Sequence, residues 1–161
     1  MLPLKIVEQG YRVVYEPEAI LKEPSLKSPR DEYKMRVRVS LRALWALSDM
    51  RHLLTFTGSK LFAWQLWSHK ILRYLCFIFL LGAYISNLAL WPESTFYKLF
   101  FILQNVCYLG AIISPLLEKS GRKSQGLYLL HYFVLLNLAT AYAFTKFLLG
   151  HKTVMWEPRK G

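Results

Sequence analysis

Hydrophobic and polar positions divide this chain in two. Up to about residue 70 they are mixed. Beyond it lie three apolar stretches, at residues 71–91, 96–117 and 126–149. Each is close to 20 residues with few charges, the length a helix needs to cross the ~30 Å hydrocarbon core of a bilayer. The pattern predicts a mainly α membrane protein with three transmembrane helices behind a mixed-polarity leader.

The leader divides further. Residues 1–9 read as the end of a short helix, and Gly10 breaks it. Residues 11–15 (YRVVY) are rich in β-formers and Pro17 stops them, which predicts a short strand. A single strand is not stable alone and calls for a sheet that this chain does not supply. Ser28 then stands as an N-cap, with Pro29 at the first helical position and Asp31 at the third. The helix predicted there runs to residues 47–51. At 100° per residue Lys34, Arg38 and Arg42 make a basic stripe, while Val37, Val39, Ala43, Leu44 and Leu47 cover a broad apolar arc. Arg36 projects into that arc. It is either a snorkelling or ion-paired side chain or a cation placed to face a ligand phosphate, and periodicity does not choose.

A link at residues 52–58 leads to Ser59, which caps a second amphipathic piece, SKLFAWQLWSHK. With Phe62, Trp64 and Trp67 set among Lys60, His69 and Lys70, it suits the headgroup layer as an interfacial helix. The plainer alternative is an extended foot of the first span.

Charge sets the orientation. The chain carries a net +11, and residues 1–73 hold 13 Lys and Arg against 7 Asp and Glu. A basic segment beside a membrane entry is drawn to anionic lipid of the inner leaflet. The loop at 91–95 has no Lys or Arg, whereas that at 118–125 has Lys119, Arg122 and Lys123. The positive-inside rule then makes residues 1–70 and 118–125 cytoplasmic, in a multi-pass protein of the cell (inner) membrane. Strict alternation would put the tail 151–161 outside, although Lys152, Arg159 and Lys160 sit poorly there. The start, MLPLKIVEQGY, lacks the apolar run of a signal peptide. No nucleic-acid module accompanies the charge, so no nucleic-acid partner is expected. The lipid bilayer is.

Candidate chemistry is sparse. Cys76 and Cys107 lie in predicted spans and read as small apolar fillers. His52, His69, His131 and His151 lack metal-ligand spacing. Glu16, Glu18, Asp31 and Glu32 read as loop and helix-cap charges. Asn87, Gln104, Asn105, Asn137 and His131 are polar within spans, where such groups bond between helices. For His131 a place on a proton or ion pathway is the sharper alternative.

One resemblance organises these features. GYRVVYEPEAILKE (10–23) resembles the end of the catalytic domain in processive membrane-bound glycosyltransferases of family 2, which include hyaluronan, nodulation-type chitooligosaccharide, poly-N-acetylglucosamine and cellulose synthases. There a strand of the form G-Y-R-V-x-Y-x-P-x-A is followed by an arginine-rich interfacial helix, which DEYKMRVRVSLRALWAL (31–47) resembles. FTGSKLFAWQLWSHKILRYL (56–75) resembles the second interfacial helix, and VMWEP (154–158) a common tail.

The resemblance implies residues 1–27 as the end of a truncated catalytic domain, 28–70 as cytoplasmic interfacial helices, 71–150 as the transmembrane region and 151–161 as a tail. The family's Q-x-x-R-W motif falls on residues 33–37, with Tyr33 for Gln, Arg36 matching and Val37 for Trp; Arg38 is the second candidate arginine. Tyr33, Arg36 and Arg38 are thus the substrate-binding residues it implies. The family's D-x-D, its nucleotide-binding aspartate and its general-base E-D have no counterpart in this chain. It implies an inverting enzyme moving sugar from a nucleotide sugar to a glycan or lipid-linked acceptor. That enzyme needs a divalent metal (Mg or Mn) and a general base from a missing N-terminal catalytic domain, and the isolated chain is expected to be inactive. The rival expectation is a small three-span membrane protein with an interaction or assembly role and no catalysis.

Overall fold

The computed structural model describes residues 2–22, 28–55, 60–121 and 124–152. They are mainly helical: α1 (Leu2–Glu8), α2 (Pro29–Asp49), a 3-10 turn (Arg51–Leu54), α3 (Lys60–Leu66), a π-turn (Trp67–Ile71), α4 (Leu72–Tyr74), α5 (Cys76–Ala89), α6 (Thr95–Lys119) and α7 (Gln125–Leu148). Two compact units result, one of Met1–Arg73 with Tyr142–Gly161, the other of Tyr74–Ala141.

In the first unit, α2 begins where its capping residues require. The Ser28 hydroxyl accepts from the Asp31 backbone N–H at 3.2 Å and donates to Asp31 Oδ2 at 2.7 Å, which satisfies an otherwise orphaned first-turn donor. Its buried side chains are Val37, Ser40, Leu41, Ala46 and Leu47. They follow the expected arc in part, but Val39 is exposed. The 3-10 turn is tied to α1 by His52 Nε2 and Glu8 Oε1, 2.8 Å apart. Trp67 Nε1 donates back to the Leu54 carbonyl at 3.2 Å.

The strand expected at 11–15 does not form. Among the described residues no strand is present, and residues 11–16 run without regular structure. α1 ends at Gly10, whose φ of 86° lets Tyr11 N–H reach the Ile6 carbonyl at 3.1 Å. Beyond it, side chains with strand propensity point into solvent. Propensity without a neighbouring strand leaves the ladder bonds unmade, so the chain stays unpaired. Ser59 and the VMWEP run lie outside the described residues.

The second unit holds α5, α6 and the larger part of α7. α6 and α7 are each long and apolar enough to cross a membrane. The first predicted span differs: it is broken at Leu75, between α4 and α5, so a third span exists only if the pair Lys60–Tyr74 and Cys76–Ala89 counts as one. Large apolar side chains face outward along α6, among them Leu99, Leu103, Val106, Ile112 and Leu116, while Ala111 and Ser114 are buried. That inside-out distribution suits lipid as the surrounding solvent. Gly110 permits close approach of α6 to α7, because a Cβ there would meet Leu127 Cδ2 at 3.2 Å.

Candidate functional site

α2 carries the three residues expected to bind substrate. Tyr33 and Arg36 are three apart and share one face; Arg38 lies roughly 160° from Arg36 around the helix. The fold therefore joins two of the three and separates the third. Arg36 is ion-paired: its Nε and Nη2 both approach Glu32 Oε1, at 2.8 and 2.7 Å. Glu32 precedes Arg36 by four residues, the favourable order for such a pair. Tyr33 is half-buried on this face. Burial, and then the neighbouring Tyr142 phenol, raise its hydroxyl above the ordinary tyrosine range.

The opposite side of α2 carries an arrangement that sequence reasoning missed. Gly150, at φ 76°, ends α7 with bonds from Gly150 N–H to the Phe147 carbonyl and from His151 N–H to the Lys146 carbonyl, each 3.0 Å. This turn offers the His151 carbonyl to Trp45 Nε1, which donates to it at 2.9 Å. The Trp45 ring packs edge-on against Phe147 at 4.8 Å, and Lys152 Nζ lies 4.5 Å from the centre of the indole. Beneath them is a cavity of about 690 Å³ bounded by α1, α2, Leu66, Lys70 and Lys152. Arg42, Lys70 and Lys152 are its cations and Asp49 its one carboxylate; Leu4, Val39, Ala43 and Leu47 contribute apolar walls. Trp45 sits on the helical wheel between Lys34 and Arg38. An aromatic set within a basic stripe was the available signal.

Within the second unit the polar groups of the spans mostly bond between helices. Tyr84 donates to Asn105 Oδ1 at 3.2 Å and Asn87 Nδ2 to Gln104 Oε1 at 3.3 Å, linking α5 to α6. Asn137 instead bonds back to the Phe133 carbonyl of its own helix at 2.9 Å. His131 bonds across from α7 to α6, through Nδ1 and the Ala111 carbonyl at 3.0 Å.

Among the described residues no group of three or more His, Cys, Asp or Glu side chains comes together to hold a metal ion. The divalent ion implied by the resemblance has no ligand set in these residues, and no chemical step is assigned through it. No family model, curated protein or solved structure matches the chain.

Proposed function

We propose that the chain is the C-terminal membrane module of an inverting family 2 glycosyltransferase, serving transfer of sugar from a nucleotide sugar to a glycan or lipid-linked acceptor. One observation carries the reading. Residues 11–15 combine β-forming side chains, with Tyr11, Val13, Val14 and Tyr15 between 54% and 88% exposed, and no strand to pair with among the described residues. Such a segment is an open template for a sheet edge. In the complete enzyme it joins the sheet of the catalytic domain, which brings the metal-binding and general-base carboxylates. Tyr33 and Arg36, which share one face of α2, then meet the nucleotide and acceptor, with Arg36 as the cation nearest the diphosphate and Glu32 fixing its guanidinium; Arg38, on the other side of the helix, is left outside that contact.

Residues 1–70 are cytoplasmic in this reading, and the Trp45–His151 bond supports the same face for residues 151–152. An even number of crossings follows. α6 and α7 are those two, and the broken pair Lys60–Tyr74 and Cys76–Ala89 re-enters. α5 has 14 residues, which reach about 21 Å at 1.5 Å per residue, short of the ~30 Å core. This topology departs from the loop charges: the segment 118–125, which the positive-inside rule alone puts in the cytoplasm, is then external, and the Trp45–His151 bond is preferred to that rule.

The deciding experiment is to sequence the DNA upstream of residue 1 and assay the purified chain. An in-frame reading that encodes D-x-D and E-D is expected, with no nucleoside diphosphate released from nucleotide sugars by this chain alone. Upstream sequence without those carboxylates, or turnover by the chain alone, would overturn the reading.

A further inference from the structure

The cavity against α2 has a use that glycosyl transfer does not require. We infer that it binds one anionic glycerophospholipid, with the headgroup phosphate held by Arg42, Lys70 and Lys152 and an acyl chain against the apolar wall of α1 and α2. Three features of the site select this occupant. The cavity is about 690 Å³, within the ~300–1,000 Å³ of small-molecule sites and far larger than a bare ion needs. Its charged groups are three cations and one carboxylate, Asp49, so an anion is favoured and a zwitterion is not. Its other walls, including Leu4, Val39 and Ala43, are apolar, which matches a ligand with one charged end and one hydrocarbon end.

Depth agrees with chemistry. Lys70 immediately precedes the apolar stretch that begins at residue 71. Lys152 follows the end of α7 at Leu148 by four residues. Both are exposed at the ends of membrane segments, where headgroups lie and long cationic side chains reach phosphate. Lys152 is held over the Trp45 indole at 4.5 Å, so one cation is already positioned at the rim. An indole at headgroup level is itself a common interfacial anchor.

The site rests on the membrane reading but not on sidedness or catalysis, because lipid retention is measured in detergent. The full chain, purified in a non-ionic detergent, is mixed with dioleoyl phosphatidylglycerol or dioleoyl phosphatidylcholine and examined by native mass spectrometry. One phosphatidylglycerol per chain is expected, retained at least tenfold better than phosphatidylcholine. The double variant Lys70→Gln, Lys152→Gln should lose the preference. Lys34→Gln with Lys119→Gln, which removes two cations away from the cavity, should keep it. Ala43→Phe narrows the apolar wall at unchanged charge and should also lower retention. Circular dichroism and melting in the same detergent confirm that each variant is folded. Equal retention of the two lipids, equal loss in both double variants, glycerol phosphate competing as well as the intact lipid, or a second copy of the chain in place of lipid would each overturn the inference.

Discussion

His131 Nδ1 donates to the carbonyl oxygen of Ala111, 3.0 Å away, and that carbonyl is the one Pro115 leaves without its helical donor. In an α-helix the N–H of residue 115 would bond the carbonyl of residue 111; proline has no N–H to give. Pro115 stands inside α6, a helix apolar enough to cross a membrane, and Ala111 is buried, so an orphan carbonyl there has no water to turn to. The imidazole of the neighbouring helix replaces the missing donor. Since a carbonyl only accepts, Nδ1 carries the proton of this bond; Nε2 is buried without a hydrogen-bond partner among the described residues.

A double-mutant cycle tests this replacement. His131→Leu is expected to destabilise the chain by about 1–2 kcal/mol, the upper range for a polar contact between membrane helices. In a Pro115→Ala background the helix regains its own donor to Ala111, and the same His131→Leu change should cost much less. Unfolding of the four proteins in mixed micelles gives the coupling. Equal costs in both backgrounds would show that His131 does not serve the proline gap.

Arg36 and Lys34 separate chemistry from helix stability. An exposed or half-exposed i,i+4 ion pair contributes only about 0.3–0.5 kcal/mol, so losing the Glu32 partner should hardly change the melting of α2. In an enzyme reconstituted with its catalytic domain, Arg36→Ala is expected to lower turnover by about 2–4 kcal/mol of transition-state stabilisation, as for other placed electrostatic donors. Lys34→Ala, exposed on the basic stripe, should leave turnover within twofold. Steady-state rates at saturating nucleotide sugar, with membrane insertion checked, decide between them.

Ser28 should control the start of α2. Ser28→Ala removes the acceptor for the Asp31 N–H and is expected to cost about 1 kcal/mol, with Ser28→Asp retaining most of it. Thermal melts followed by far-ultraviolet circular dichroism measure the difference. Indistinguishable melts for all three proteins would remove the cap as a source of stability.

Tyr33 gives a pH dependence with a definite sign. Its hydroxyl titrates above the ordinary tyrosine range in the folded chain, through burial first and the Tyr142 phenol second. The folded state then holds its proton where the unfolded state has released it. The contribution is full below the unfolded tyrosine pKa of about 10 and is lost as pH rises through the folded value. Stability measured between pH 9 and 11 should fall less steeply in Tyr33→Phe than in the parent. A matching slope in the two proteins would contradict the assignment.

Cysteine accessibility tests the even number of crossings. In a chain with Cys76 and Cys107 replaced by alanine, Ser94→Cys should be protected from an impermeant external reagent and Ser120→Cys labelled. The reverse pattern would restore three crossings and separate His151 from Trp45 by a bilayer.

The sequence by itself determined the features that depend on near neighbours. Ser28, Pro29 and Asp31 set the first turn of α2, because a cap is satisfied within four residues of chain. The apolar runs of α6 and α7 set helices long and apolar enough to cross a membrane, because length and hydropathy are properties of consecutive residues. Gly10 ended α1 as its pattern predicted. The tertiary structure decided what depends on a distant partner. Residues 11–15 carry strand propensity but gain no strand, because the ladder bonds must come from another segment. The run at 71–91 reads as continuous apolarity, yet the helix breaks at Leu75, which hydropathy alone does not register. The helical wheel leaves Arg36 equally an ion-paired or a ligand-facing cation; the rotamers that join it to Glu32 at 2.7 Å are a feature of the folded helix. Trp45 and His151 lie 106 positions apart, and no local pattern reports that their groups meet. The same holds for His131 and Ala111: Pro115 announces an orphan carbonyl in the sequence, but which side chain reaches it is fixed only by the register of α7 against α6.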